Sequence, residues 1–168
     1  IALSALLPLV LFLYFFSFVD TVTAGNSVTT AYSWVPSLGV QLSFRLDGLG
    51  LLFALIITGI GFLVMLYSGS YFGSDPRLGV FFGYMLAFMA SMLGVVLTEN
   101  LLALFVFWEL TSVTSFLLIG FDHERDSARK AAWQALLVTD SGGYFLLMGL
   151  LLLWHTGGSF ELPALFEE

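Results

Sequence analysis

The sequence predicts an all-α integral membrane protein of about five transmembrane helices, with a short extramembrane β-hairpin between the first two. Three observations predict it. Hydrophobic residues make up 59% of the chain and charged ones only 10%, with a mean hydropathy of +0.99, whereas soluble domains carry about 25% charged residues. The apolar residues are gathered in runs close to the roughly 20 positions a helix needs to cross a bilayer. Between the first two runs lies a different kind of segment, rich in Thr, Ser, Val and Gly, in which polar and apolar residues partly alternate with the period of a strand.

The first run, residues 1–19, could pass for the core of a secretory signal. It lacks an initiating Met, a basic leading region and a small-x-small cleavage site before Asp20. It therefore reads as a transmembrane helix whose upstream sequence is missing, and the 168 residues as a fragment forming a single membrane domain. The hairpin occupies about 28–46, with arms Val28 to Trp34 and Val40 to Leu46 flanking turn material in Ser33-Trp-Val-Pro-Ser-Leu-Gly39. Tyr32 and Trp34 suit the water interface. The remaining spans are expected at about 49–67, 78–97, 101–121 and 128–154.

Cations orient the chain. If the spans alternate sides, Arg77, Arg125, Arg129 and Lys130 share one side and Arg45 lies on the other. This asymmetry places loops 71–77 and 122–130 in the cytoplasm, with the hairpin outside, as expected for a multi-pass protein of the cell (inner or plasma) membrane. The acidic residues Glu161, Glu167 and Glu168 then face outward and read as a solvated tail. A net charge of −7 with no basic patch argues against nucleic acid as a partner. The absence of cysteine removes disulfides, thiolate metal sites and cysteine nucleophiles.

Within the fourth span, Glu109 stands near the middle of an otherwise apolar run. A carboxylate at the bilayer centre costs roughly 2.5 to 3.5 kcal/mol, and intramembrane acids usually serve ion or proton passage. The alternative is a structural acid satisfied by a neighbouring helix. Thr111, Ser112 and Ser115 follow within about two turns. Residues three apart share a helical face, so Glu109 and Ser112 fall on one stripe, with Thr114 and Ser115 offset from it. Such hydroxyls are also ordinary packing glue between membrane helices. A second acid, Asp140, falls near the midpoint of the fifth span, between Thr139 and Ser141 and just before Gly142 and Gly143, which permit close helix approach. Two carboxyls at similar depth on consecutive helices can share a proton, a cation or a chain of water. Alternatively, Asp140 hydrogen-bonds Thr139, Ser141 or a facing helix.

The loop Asp122-His-Glu-Arg-Asp-Ser-Ala-Arg-Lys130 has acids at alternate positions. It fails as a calcium loop because Ser127 replaces the turn glycine and Trp133 the closing glutamate. Asp126 or Ser127 is expected to cap the fifth membrane helix, and His123 reads as a solvated loop residue. There is no phosphate-binding glycine loop, no His-Glu-x-x-His and no Gly-x-Ser-x-Gly, so soluble-type catalysis is not expected. No cofactor or metal site is indicated.

Phe107-Trp-Glu-Leu-Thr-Ser112 followed by Ser115-Phe-Leu-Leu-Ile-Gly-Phe121, with Phe44-Arg-Leu-Asp-Gly-Leu-Gly50 and Gly59-x-Gly-Phe62, resembles the amino-terminal part of the large A-type subunit of Mrp multisubunit Na⁺/H⁺ antiporters. That subunit is similar to the antiporter-like proton-pumping subunits of respiratory NADH dehydrogenase (complex I). The resemblance covers about residues 35–154. Respiratory relatives typically have Trp-Glu-Gly-Val-Gly where this chain has Trp108-Glu-Leu-Thr-Ser112, which favours the Mrp branch.

The resemblance implies that Glu109 matches the family's essential membrane glutamate on its fifth helix, so that the first span here is the family's second. In the family, this glutamate pairs with a lysine on the seventh helix, beyond the end of this chain. Respiratory relatives often carry an acid at the place of Gly143, whereas here the acid is Asp140. The expected function is proton translocation in a Na⁺/H⁺ antiporter, with Glu109 and Asp140 as proton relay and Thr111, Ser112, Ser115 and Thr139 lining the path. The expected partners are the other antiporter subunits, the remainder of the chain, the lipid bilayer, H⁺ and Na⁺. Alternatives are a proton-pumping subunit of complex I and a non-transporting scaffold segment.

Overall fold

The computed structural model describes residues 2–35, 40–73 and 75–166. Its elements are α1 (Ala2–Phe16), α2 (Val19–Thr23), β1 (Val28–Val35), β2 (Val40–Leu46), α3 (Gly48–Tyr71), α4 (Leu78–Leu97), α5 (Leu101–Ile119), α6 (Asp126–Gly157) and α7 (Leu162–Phe166). The protein is mostly helical. Among the described residues, five helical segments are long and apolar enough to cross a membrane, with α1 and α2 together forming the first. The helices pack in chain order, α3 against α1 and α4, and α5 between α4 and α6.

The first span divides at Ser17, whose amide donates to the carbonyls of both Leu13 and Tyr14 before the helix resumes at Val19. The second span runs one turn beyond the expected Tyr67. Ser68 and Gly69 look like turn residues but are buried, and the Ser68 hydroxyl donates to the Val64 carbonyl at 2.7 Å, so the helix keeps its backbone intact. Asp47 caps its start by accepting from the Gly50 amide at 2.8 Å. A Cβ at Gly50 would meet Leu97 at 3.3 Å, so the glycine sets how closely α3 approaches the end of α4.

The antiparallel hairpin pairs Val28 with Leu46 and Tyr32 with Leu42, with a register shift between Ser33 and Val35. Of the turn material expected at 33–39, Ser33, Trp34 and Val35 belong to β1 and 36–39 lie outside the described residues, as do Glu167 and Glu168. β1 stays exposed, Tyr32 and Trp34 included, whereas Val40, Ser43 and Leu46 of β2 are buried. β2 is stitched to the α4–α5 turn. The Ser43 carbonyl accepts from the Glu99 amide at 2.9 Å and from the Thr98 hydroxyl at 3.2 Å.

Asn100 lies at the centre of that region and is 0% exposed. Its Oδ1 accepts from the amides of Leu102 and Ala103, capping α5, and its Nδ2 donates to Glu161 at 2.6 Å. Glu161 also accepts from the Ser43 hydroxyl. Backbone bonds from Leu101 to Phe160 and from Leu162 to Glu99, both 2.8 Å, complete the clasp. Glu161 is therefore not the solvated tail residue expected from sequence, because a buried amide and a hydroxyl both need an acceptor there.

At the other end of the bundle, Arg77 pairs with Asp75 at 3.2 Å and Asp122 at 3.9 Å, and lies over the Phe121 ring at 5.3 Å. The rings of Phe72, Phe81 and Phe121 meet edge-on or tilted beside it. The two cation-bearing loops therefore share one end of the molecule. The side-chain hydrogen bond from Arg77 holds the Asp75 carboxyl below the ordinary carboxylate range. A lowered carboxyl stabilises above its unfolded value of about 3.9, and that contribution is lost as pH falls through the folded one.

Neither Asp126 nor Ser127 caps α6 as expected. The N-cap is Arg125, without a side-chain cap bond. The preceding turn closes from the Arg125 amide to the Asp122 carbonyl, so helical geometry begins at Asp126, whose carboxylate pairs with Arg129.

The cap and the clasp at Asn100 are separable. Asn100→Ala should destabilise the protein by roughly 2 kcal/mol, while Asn100→Ser, which keeps a cap acceptor but cannot reach Glu161 as the amide does, should fall between. Apparent Tm values of the purified full-length protein in detergent will give that order, and equal losses for both would assign the effect to the clasp alone.

Candidate functional site

Glu109 sits at the middle of α5, and its two flanks meet different helices. The Phe107 ring lies over Gly94 of α4, so closely that no Cβ would fit there unless the ring shifted. Two residues on, which is about 200° around a helix, the Glu109 carboxyl lies against Gly143 of α6, where it occupies the space a Cβ would take. Two further contacts carry the α5–α6 interface toward the loop end. The Phe116 and Trp133 rings meet edge-on at 5.4 Å, and a Cβ at Gly120 would stand 3.3 Å from that of Ala132. Pairing 109 with 143 and 120 with 132 on antiparallel helices sets Asp140 at the level of Ser112, one turn from the Glu109 carboxyl.

Asp140 is half-buried, and its Oδ1 is fully enclosed without a hydrogen-bond partner among the described residues. The neighbours able to satisfy it are engaged elsewhere. The Thr139 hydroxyl donates to the carbonyls of Ala135 and Leu136, and that of Ser141 to Val138. A buried carboxyl oxygen left without a donor is costly, which marks the position as incomplete within these residues.

The hydroxyls expected near Glu109 divide into two groups. Ser112 is buried, and its hydroxyl is only loosely held, 3.5 Å from the Trp108 carbonyl. It shares the Glu109 stripe and faces the level of Asp140. Thr111 donates firmly to the Trp108 carbonyl at 2.6 Å and stands about 200° from Glu109 on α5. Ser115 is half-buried and offset from the stripe, and Thr139 is exposed away from the α5–α6 interface. Thr114, also offset, is buried with its hydroxyl on the Leu110 carbonyl at 2.7 Å. The structure thus brings Glu109, Ser112, Gly143 and the level of Asp140 together, with Thr111, Ser115 and Thr139 on neighbouring faces.

Sequence reasoning admitted close approach at Gly142 and Gly143 without separating them. Only Gly143 meets a side chain, while Gly142 has nothing within 4 Å. The helical stripe was the available signal, since 140 and 143 are three apart and 142 is not. The Asn100–Glu161 clasp was missed, although Asn immediately before an apolar run is a helix-start signal.

Five apolar helical segments of membrane-crossing length among the described residues, with a carboxyl midway along one of them set against its neighbour, define an integral membrane protein. Two family models match the chain, one described as NADH-Ubiquinone oxidoreductase (complex I), chain 5 N-terminus, over residues 33–82, and one as NADH:quinone oxidoreductase/Mrp antiporter, TM, over residues 98–168. The A1 subunit of the Staphylococcus haemolyticus Na⁺/H⁺ antiporter is 46% identical over 162 residues, and that of Staphylococcus aureus 44% over 161, in each case 96% of this chain and 20% of the relative. The chain thus spans about a fifth of the length of the curated relatives it matches. A chain of the Mrp complex from a Dietzia species superimposes with a TM-score of 0.79 at 37% identity, covering 84% of this chain and 16% of that one. A chain of an archaeal membrane-bound sulfane sulfur reductase gives 0.81 at 21% identity, covering 96% and 33%, and shares the fold. The chain belongs to the NADH:quinone oxidoreductase/Mrp antiporter family and is homologous to its A-type Na⁺/H⁺ antiporter subunits.

The α5–α6 register is directly measurable in this cysteine-free sequence. Gly120→Cys combined with Ala132→Cys places the two Cβ atoms within reach of a disulfide, which needs about 3.5–4.5 Å. Mild oxidation of membranes should abolish thiol labelling of the double variant and leave each single variant labelled. Full labelling of the oxidised double variant would refute the register.

Proposed function

We propose that the chain forms part of a proton-translocating membrane subunit of a multisubunit Na⁺/H⁺ antiporter, with Glu109 as its switchable proton carrier and Asp140 as the adjoining carboxyl. The observation that carries this reading is the half-buried Glu109 carboxyl lying against Gly143 of α6, one turn from an Asp140 oxygen that is buried without a donor among the described residues. Ion or proton passage is what usually retains ionisable groups at such depth. Ser112 stands at the level of Asp140 and one turn from Glu109 on the same stripe, with its hydroxyl only weakly held. Thr111, Ser115 and Thr139 extend the polar surface onto the neighbouring faces of α5 and α6. Homology to proteins named as antiporter subunits supports exchange of H⁺ for Na⁺, within a complex whose other membrane subunits and further helices cover the exposed faces. On this reading the chain is a secondary transporter component and carries out no covalent chemistry of its own.

The charges at the ends of the bundle support a topology. Arg77, Arg125, Arg129 and Lys130 gather at one end and Arg45 at the other, and the positive-inside rule then puts loops 71–77 and 122–130 in the cytoplasm and the hairpin outside. The first family model favours a second reading, a proton-pumping subunit of an NADH:quinone oxidoreductase, in which the same acids work under redox drive. Copurification of iron–sulfur or flavin subunits with the full-length protein would select it. In a scaffold, by contrast, the acids would be dispensable.

In everted vesicles containing the full-length parent complex, Glu109→Gln should abolish Na⁺-driven proton movement with the complex still assembled. Removal of one essential proton carrier typically costs at least about 100-fold in rate. Retained exchange would make Glu109 structural. Asp140→Ala should also impair exchange with normal assembly, and unchanged exchange would remove Asp140 from the path.

A further inference from the structure

Gly142 and Gly143 are adjacent on α6, yet their surroundings differ. Gly142 is exposed with nothing within 4 Å, whereas Gly143 is buried and the Glu109 carboxyl fills the place of its missing Cβ. Glu109 is the far end of a flexible side chain, so a methyl group at 143 would not force the helices apart. It would push the carboxyl aside by rotation about χ angles. The glycine therefore matters for where the carboxyl points more than for whether α5 and α6 pack.

We propose that Gly143 is a positioning residue, which keeps open the seat on α6 that holds the Glu109 carboxyl across the α5–α6 interface, one turn from Asp140. Resting on the proton-carrier reading of Glu109, the proposal adds the element that sets its direction. Without the seat, the carboxyl must rotate off the α6 backbone and leave the position it holds across from residue 143. Displacements of about 1 Å at a reacting group can cost on the order of 100-fold in rate. The seat is also a matter of reach. Glutamate spans the gap from α5 to the α6 backbone, and aspartate, one methylene shorter, falls short of it. A methyl group at 143 fills the gap that aspartate leaves, so the two single changes should compensate each other when combined.

The test is a set of variants in the full-length parent complex, assayed for Na⁺-driven proton movement in everted vesicles. Gly143→Ala should lower the rate by at least about tenfold with the complex assembled, while Gly142→Ala stays near the parent's level. Glu109→Asp should also be slow. The double variant Glu109→Asp/Gly143→Ala should exceed the product of the two single effects by at least about tenfold. A double variant no better than that product overturns the proposal, as does equal loss in Gly142→Ala and Gly143→Ala. If Gly143→Ala fails to assemble, assembly regained in the double variant supports the seat and assembly still lost overturns it. Glu109→Gln separates failure of the seat from failure of the carrier. If it transports, the proton-carrier reading itself falls. If it is inactive while Gly143→Ala runs at the parent's rate, the seat alone is wrong.

Discussion

A carboxyl group halfway along an apolar helix is tolerable only where a second helix comes close enough to take it out of lipid. α6 comes within reach of the Glu109 carboxyl because residue 143 has no side chain. The same interface is held toward the loop end by Phe116 on Trp133 and by Gly120 against Ala132. On the opposite flank of α5, Phe107 lies on Gly94 of α4. α5 is therefore positioned by small residues on both neighbours, one accepting an aromatic ring and the other a carboxyl. The placement of Asp140 and Ser112 follows from this register.

Most other buried hydroxyls are satisfied by their own helix. Thr58 donates to Ala54, Ser91 to Ala87 and Thr114 to Leu110, each at 2.6 to 2.8 Å. A hydroxyl bonded back to its own backbone stays quiet in an apolar setting and needs no neighbour. Within the spanning helices, Ser112 and Asp140 are the departures, one loosely held and one with a buried oxygen lacking a donor among the described residues. Polar residues are common in these spans, so their number says little about a path. What distinguishes the two is that local backbone does not absorb their hydrogen-bonding capacity.

The spans were legible because each apolar run approaches the length of the bilayer core, and helix starts at Leu78 and Leu101 fell where sequence put them. Ends marked by small polar residues were harder. The second span was expected to end at about 67, yet Ser68 and Gly69 are buried and α3 runs on to Tyr71. The hairpin was visible in its alternation, but its attachment was not, since the Ser43–Glu161 bond joins positions 118 residues apart and no local pattern announces it. Depth and stripe pointed to Glu109, Ser112 and Asp140. The division between Gly142 and Gly143 required knowing which face of α6 meets α5, and two adjacent glycines carry no such label.

The Asn100 clasp has a mechanical meaning. At one extremity α5 begins at Asn100 and the chain leaving α6 returns to it through Phe160 and Glu161, while at the other a short turn links the two helices and Asp122 ties it to Arg77. The pair resembles a beam clamped at both supports. Such a beam resists sliding and splaying at its ends and yields most at mid-span, where Glu109 and Gly143 face one another. Whatever disturbance reaches these helices is thereby concentrated at the one place where a small sideways movement changes which group a carboxyl touches.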